Sequence, residues 1–446
     1  MNTTIQTFQE LFGNPIMQAL GNFANARGVQ LYLVGGSVRD LFLERQTTDI
    51  DFALASDAIA FAKAFAARIK ATCIVLEEAP ATARVIVKQS DVSEGLWLSM
   101  DFAQFRAASL IEDLRLRDLT INAMAVTFEN AGTVAKQPCD PDGFHVIDPC
   151  GGMNDLAEGL LGFPCEKIVQ ADPVRLLRIY RFAAQLDFEI SEDAITSVVK
   201  HRLLLSNVAM ERCRDELVKI FRVKNAYPYL RQLEAVGLLS QTVPSIRETD
   251  RSWHSLEVFE KSPIPSALDA YWCTFNDYLY AALGTEADRC SFIKLSFLCG
   301  DNPSGIGKHL RLSRKTVLFM ANLLSGSMAL KRIIPQLTHE QIMRFLRKYV
   351  SEWWGILLYA AASYTIGSTV LKQIADTYYE QILPIRKQGR LITGRDLIQT
   401  FHLKEGKQIG NLLKAIEDRQ FAGEIRTREE AFAAVAVLIQ QSDRLL

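Results

Sequence analysis

Two short apolar runs flank a Gly-Gly pair near the start of the chain. Leu31-Tyr32-Leu33-Val34 leads into Gly35-Gly36-Ser37-Val38-Arg39-Asp40, and Asp49-Ile50-Asp51-Phe52-Ala53-Leu54 follows after a short link. Runs of this length between turn residues read as strands of an α/β unit. Side chains alternate faces along a strand, so Asp49 and Asp51 point to the same side of a sheet. Two hard oxygen ligands on one face suit Mg²⁺, which takes carboxylates together with phosphate oxygens. The glycine pair lets backbone N–H groups approach an anion closely. An Asp-x-Asp alone is commonly a solvated turn or cap, and a lone Gly-Gly is commonly just a turn. The ordered combination is more specific and describes a metal-dependent site for a nucleoside triphosphate.

The chain has 446 residues, a formal charge of −1 and 49% hydrophobic residues, which is too much for one core, so two to four domains are expected. No apolar run of membrane-spanning length stands out, and the first residues lack a basic flank with an apolar signal core. Residues 3–24 read instead as an amphipathic helix. The eight cysteines include no Cys-x-x-Cys pair and are expected as thiols in a reducing cytoplasmic setting, not as zinc ligands or disulfides. Near-zero net charge leaves nucleic-acid binding open, because a local basic groove suffices.

Residues 28–128 alternate strand-like and helical stretches, with strands expected at 73–76, 83–87, 96–102 and 121–126. Residues 129–147 are turn-rich, with Pro138, Pro141 and Gly143. After Asp148-Pro149-Cys150-Gly151-Gly152 the strand signal stops and apolar spacing is helical to the end. The expected class is α+β: an α/β head followed by an all-α body.

More chemistry-bearing segments follow. Asp101, in Met100-Asp101-Phe102-Ala103-Gln104-Phe105-Arg106, is placed to join the first two carboxylates if its strand lies beside theirs. Asp113-Leu114-Arg115-Leu116-Arg117-Asp118-Leu119-Thr120-Ile121-Asn122 offers a guanidinium fork for phosphate at Arg117, and hydrogen-bonding groups for a ribose at Asp118 and Asn122. In Ala171-Asp172-Pro173-Val174-Arg175-Leu176-Leu177-Arg178, Asp172 and Arg175 are three apart, neighbours on one face of an expected helix. Such an acceptor and donor can match the edge of cytosine or adenine, and Arg178 lies one turn further on. Asn154 or Asp155 is expected to cap the helix after Gly151-Gly152.

In this order the motifs resemble the tRNA nucleotidyltransferase and bacterial poly(A) polymerase family, the class II branch of the polymerase-β-like nucleotidyltransferases. The resemblance covers nearly the whole chain. It implies a nucleotidyltransferase head over residues 1–147, a helical neck with the nucleotide-selectivity motif over 148–225, a helical body over 226–385 and a tRNA-binding tail over 386–446. It further implies template-independent addition of CMP, AMP or both from CTP and ATP to the 3′-hydroxyl of tRNA, with Mg²⁺ held by Asp49, Asp51 and Asp101. Gly35, Gly36, Ser37 and Arg39 would face the triphosphate, together with Arg117, Asp118, Asn122, Asp172, Arg175 and Arg178 around the nucleotide. Arg311, Arg314, Lys315, Lys404 and Lys407 would contact RNA. No membrane and no obligatory protein partner is expected.

The chain departs from the family's pattern at several positions. Asp101 stands where Glu is common, Leu116 where the family has Arg, and Ala171 where it has a Glu that steadies the selectivity Arg. Leu295-Ser296-Phe297-Leu298-Cys299-Gly300-Asp301 is similar to the metal-binding HD segment of some relatives, but Gly300 replaces the His, so no metal site is expected there and His254 is expected as an ordinary packed or surface residue. Glu211-Arg212-Cys213-Arg214-Asp215-Glu216-Leu217 is expected to brace the neck through ion pairs. Only Ala107 through Glu112 separate Phe105-Arg106 from Asp113, a short segment that resembles CC-adding members; the complete CCA-adding and the A-adding or poly(A) forms stay open. A non-catalytic RNA-binding relative is the alternative from a different class.

Overall fold

The computed structural model describes residues 11, 13–45, 49–88, 97–128, 146–243, 249–285, 287–421 and 423–443. Most of the helix expected over 3–24 and all of the turn-rich stretch 129–145 lie outside them. The chain forms two compact units, Met1–Val223 with Pro228–Pro244, and Lys224–Tyr227 with Ser245–Leu446. This division is coarser than the fourfold one.

The first unit begins with α1 (Pro15–Ala26), started by the Asn14 side chain, which accepts the Ile16 amide at 2.9 Å, and by Pro15 at a position where a missing N–H costs nothing. There follow β1 (Leu31–Val34), α2 (Gly36–Phe42), β2 (Asp49–Leu54), α3 (Ala58–Ile69), β3 (Thr72–Glu77), β4 (Thr82–Lys88), β5 (Trp97–Gln104), α4 (Leu110–Arg115), β6 (Ala125–Phe128) and β7 (Val146–Ile147). The strands form one sheet in the order β3-β4-β5-β2-β1-β6-β7. β2 and β5 pair in parallel, while their other neighbours run antiparallel. A parallel pair needs a long crossover, and α3 with the β3–β4 hairpin supplies it. Phe52 and Phe102 stack at 5.4 Å on the face that α3 covers with Phe61 and Phe65. The alternate residues Asp51 and Asp101 therefore point to the opposite face, where Val34, Ala53, Leu110, Leu114 and Ala125 form a smaller apolar cluster beneath α4.

The strand expected over 121–126 begins later. Thr120–Asn122 is a 3₁₀ turn, and pairing starts at Ala125. Buried Asn122 accounts for the delay, since its side chain bonds Asp118 and Arg39 and its amide donates to the Leu119 carbonyl, and buried polar groups must keep their partners.

The helical part of this unit comprises α5 (Gly152–Glu158), α6 (Lys167–Ala171), α7 (Arg175–Leu186), α8 (Glu192–His201), α9 (Met210–Arg222), α10 (Tyr227–Ala235) and α11 (Leu238–Thr242). Strand structure does not stop altogether, because Leu160–Leu161 and Glu189–Ile190 pair in parallel as β8 and β9. The expected cap at Asn154 or Asp155 is overturned. Asp148 accepts the Gly152 and Met153 amides, both at 2.9 Å, and Asp155 instead takes the Thr120 hydroxyl. A Cβ on Gly152 would lie 2.2 Å from the Thr120 carbonyl oxygen, so only glycine allows this close approach.

The second unit is almost wholly helical: α12 (Asp250–Lys261), α13 (Trp272–Tyr280), α14 (Arg289–Leu298), α15 (Pro303–His309), α16 (Arg314–Ile333), α17 (His339–Lys348), α18 (Trp353–Ser363), α19 (Ser368–Thr377), α20 (Leu383–Gln388), α21 (Gly394–Phe401), α22 (Lys407–Phe421) and α23 (Arg428–Asp443), with a two-residue hairpin, β10 (Ala282–Leu283) and β11 (Ala287–Asp288). Contrary to expectation, one segment, Arg314–Gln336, is long and apolar enough by composition to cross a membrane. In this structure it packs inside the unit: Phe319, Met320, Leu323 and Leu330 are buried, and a Cβ on Gly326 would lie 2.4 Å from Ile356 of α18. The last three helices share a core that includes Ile392, Leu397, Leu412, Ile416 and Val435.

Candidate active site

The parallel register sets Asp51 opposite Asp101 and Asp49 opposite Ser99. Three carboxylates thus gather on one sheet face. The Asp51 carboxyl is pushed up to about 6, first by burial and then by the charge of Asp101. A buried carboxylate beside another resists ionisation unless a cation joins them, so the donor set and its register fit a divalent ion. Among the described residues, however, no group of three or more acidic, His or Cys side chains is close enough to hold one as the chain stands. Arg84 of β4 instead meets Asp101, donating from Nε to Oδ1 at 2.7 Å and from an η nitrogen to Oδ2 at 2.8 Å. Sequence reasoning missed Arg84. Its signal was the alternation of β4, where buried Ala83 and Val85 put Arg84 on the other face.

The Gly-Gly turn shapes this face. Gly35 precedes α2 at φ 68°, and a Cβ there would lie 3.0 Å from an Arg117 η nitrogen and 3.7 Å from Asp51 Oδ2. Its own amide donates to the Met124 carbonyl at 3.2 Å, so at Gly35 the glycine provides room and not an anion-binding N–H. The Ser37 hydroxyl accepts the Asp51 amide at 2.8 Å and donates to the Asp49 carbonyl at 3.4 Å, pinning β2 to α2. Arg39 does not face open space. It is buried, grips both oxygens of Asp40, and donates to Asn122 Oδ1 at 2.7 Å.

Arg117 donates to Asp113 Oδ2 at 3.1 Å, and its charge acts on Asp51. Its buried Nε has no hydrogen-bond partner among the described residues. Asn122 also donates to Asp118 Oδ1 at 3.1 Å, and Asp118 Oδ2 lies 2.7 Å from Arg178 Nε. Burial raises the Asp118 carboxyl, but the Arg178 charge with hydrogen bonds from Asn122 and the Leu119 amide outweighs it and holds the group below the usual carboxylate range. Arg39, Asn122, Asp118 and Arg178 therefore form one continuous polar chain.

Asp172 and Arg175 do not share a helix. Asp172 ends α6 at φ −143°, ψ 89°, Pro173 and Val174 turn, and Arg175 begins α7. Proline pushes the residue before it out of the α region, and that breaks the expected helix at Asp172. Each side chain is nevertheless held. Arg212 of α9 grips Asp172 through both η nitrogens, at 3.0 and 2.8 Å. Arg175 donates to the Ile168 and Leu116 carbonyls, at 3.3 and 3.1 Å, so it is held without a carboxylate at Ala171. The 211–217 segment does brace the neck, with Arg181 Nε 3.0 Å from Glu216 Oε2, but through Arg212 it also reaches Asp172, which sequence reasoning did not foresee. If Asp172 reads the base as the resemblance implies, Arg212→Ala should blur the expected CTP-against-ATP preference about as much as Asp172→Ala does, by roughly tenfold, the size of one lost bidentate base contact. Competition assays with both nucleotides check this, and an unchanged preference in Arg212→Ala contradicts it.

In the second unit, Arg311 precedes α16, Arg314 and Lys315 open it, Lys404 lies in the loop before α22, and Lys407 opens that helix; all five are exposed. Gly406 precedes α22 and Gly410 lies in its first turn. Gly300 and Asp301 line a cavity of about 330 Å³ with Arg251, Lys331, Tyr359 and Tyr364, while His254 sits exposed on α12.

Residues 31–162 match the family model of the poly(A) polymerase head domain, 187–249 that of an RNA- and SrmB-binding region of poly(A) polymerase, and 301–436 that of tRNA nucleotidyltransferase domain 2. The chain is 30% identical over 442 residues to a CC-adding tRNA nucleotidyltransferase of Geobacter sulfurreducens, covering 94% of both chains. It is 29% identical to a CC-adding tRNA nucleotidyltransferase of Synechocystis, covering 91% of this chain and 92% of the relative. Its fold is similar to that of a CCA-adding enzyme solved with ATP, at a TM-score of 0.66 and 24% identity, over 95% of this chain and 94% of the other. With the parallel carboxylate strands, the Gly-Gly turn and this end-to-end match together, the chain belongs to the tRNA nucleotidyltransferase and poly(A) polymerase family.

Proposed function

We propose that the protein extends the 3′ end of tRNA without a template, adding cytidylate from CTP and releasing pyrophosphate. The observation that carries this reading is the juxtaposition of Asp51 and Asp101 on parallel strands, with Arg117 beside Gly35 on the same face. Asp49, Asp51 and Asp101 would hold Mg²⁺, which when bound activates the attacking hydroxyl and stabilises the leaving group. Gly35 leaves room for the triphosphate, and Arg117 offers it a donor. Asp118 and Asn122, aligned by Arg178 and Arg39, orient the ribose. Asp172, set by Arg212, and Arg175, set by two carbonyls, read the base. Arg311, Arg314, Lys315, Lys404 and Lys407 contribute phosphate contacts to tRNA, which position it without reading sequence. On this reading the protein works in the cytoplasm, where tRNA and nucleoside triphosphates meet.

The CC-adding subtype rests on the segment after Arg106. The Arg106 amide donates to buried Asp113 Oδ1 at 2.9 Å, and Ser109 caps α4 through the Glu112 amide. Residues 107–112 are thus occupied as a turn and a helix start, leaving little chain to reshape the pocket between C and A addition. Relatives that match it include three CC-adding ones, beside CCA-adding and A-adding ones. On tRNAs ending before CCA, after C and after CC, each given one nucleotide at a time, growth should stop after two cytidines. Efficient AMP addition to a tRNA ending in CC would overturn the subtype, leave the family standing, and point to a CCA- or A-adding enzyme.

A further inference from the structure

Across three neighbouring strands, β4, β5 and β2, three charged side chains stand in one row. Arg84 is in register with Asp101, and Asp101 with Asp51. Residues in register project from the same face of the sheet, so the Arg84 fork and the two carboxylates occupy a single surface. Both oxygens of Asp101 accept from the guanidinium. An ionised carboxylate is an acceptor only, and a bidentate arginine takes one lone pair on each oxygen and sets a positive charge against any metal ion that approaches the same carboxylate. The pair is partly open to solvent, with Arg84 39% and Asp101 22% exposed. Exposed pairs of this kind are weak, so an arriving divalent ion can displace this one.

We propose that Arg84 is a positioning residue that serves as the internal counter-cation of the carboxylate face. It keeps Asp101 paired while the site is empty and yields it when a divalent cation binds. Arg84 thereby sets the metal affinity of the free protein. Once released, its fork would be free to meet the negative charge that the phosphates of a nucleotide bring. The proposal rests on the reading that Asp49, Asp51 and Asp101 hold the metal.

The test is an Mn²⁺ titration of the full chain without nucleotide, followed by the electron paramagnetic resonance signal of free Mn²⁺. Arg84→Gln should bind Mn²⁺ about three- to tenfold more tightly than the parent, the size expected for removing one partly exposed ion pair. Arg84→Lys, a single-point donor without the fork, should fall between them. In an Asp101→Asn background the gain from Arg84→Gln should vanish, as a double-mutant cycle requires of two groups that act on each other. The same variant should need less Mg²⁺ for half-maximal nucleotide addition. If Arg84 merely joined strands, its loss would leave Mn²⁺ affinity unchanged or weaker in a protein of normal melting temperature, and that result overturns the proposal. Should Arg84→Gln fail to fold, unaltered affinity in Arg84→Lys overturns it equally. Parent-like Mn²⁺ binding in Asp51→Asn, or none in the parent, would refute the metal-site reading itself and the Arg84 role with it.

Discussion

Asp51→Asn should lower single-turnover nucleotide addition by roughly 1000-fold or more. Metal-borne charge stabilisation is worth several kcal/mol, and each 1.36 kcal/mol is a factor of ten in rate. Asp51 sits at the centre of the candidate site, in register with Asp101 and within 3.7 Å of where a Cβ on Gly35 would lie. Affinity for tRNA should stay within about threefold of the parent, because Lys and Arg contacts to phosphate supply most of it. Asparagine keeps the volume, so lost activity cannot be blamed on lost packing. The sign of the stability effect separates the two further. The folded-state value is raised from the ordinary 3.8 to about 6, so without metal Asp51 disfavours the fold increasingly as the pH rises from about 3.8, and in full above about 6. At neutral pH and without metal, Asp51→Asn should therefore melt no lower than the parent. Rapid-quench addition assays, filter binding and thermal melts read the three quantities. A variant within tenfold of the parent rate would remove Asp51 from the reaction.

Glu260→Ala should destabilise the second unit by about 3–5 kcal/mol, the penalty for stranding one partner of a buried ion pair. Glu260 and Lys294 lie 2.6 Å apart, each side chain only 3% exposed. Glu260 also accepts the Ala226 amide at 3.0 Å and the Tyr227 amide at 2.7 Å, and Lys294 donates to the Lys224 carbonyl at 3.4 Å. The two side chains thus fasten the 224–227 segment to α12 and α14. Truncating the glutamate strands an ammonium and two amides away from water. At about 2–4 °C per kcal/mol for a unit of this size, melting should fall by roughly 10 °C. Replacing both partners with methionine should recover much of the loss, because no charge is then left unpaired. Urea melts of the single and double variants decide it. A loss below about 1 kcal/mol in Glu260→Ala would show that the pair contributes nothing special.

Part of the site was legible because it depends on local periodicity. Alternation along residues 49–54 fixes which face Asp49 and Asp51 share, whatever the rest of the chain does. Gly35 announces a turn that no other residue makes as easily, and the structure puts it at positive φ. The helical spacing after Gly152 follows from apolar residues three and four apart. Each of these signals spans a few residues, where backbone geometry dictates the outcome.

The rest is non-local. That β5 lies beside β2, parallel and with Asp101 facing Asp51, depends on a crossover through α3, β3 and β4 and on the burial of Phe52 against Phe102. Arg84 reads in the chain as one polar residue in an apolar strand, and Glu260 as the solvated end of a helix. Arg39 reads as a cation free for phosphate, yet burial beneath the Asn122 turn commits it to Asp40 and Asn122. At Asp172 a local rule was present in the sequence, since Pro173 forbids the α conformation before it, but the partner that holds the carboxylate is Arg212, forty residues on. The sequence by itself determined the faces, the turns and the types of donor on offer. Tertiary structure alone decided which opposite charges meet, because a long charged side chain takes its partner from whichever element packing brings within reach.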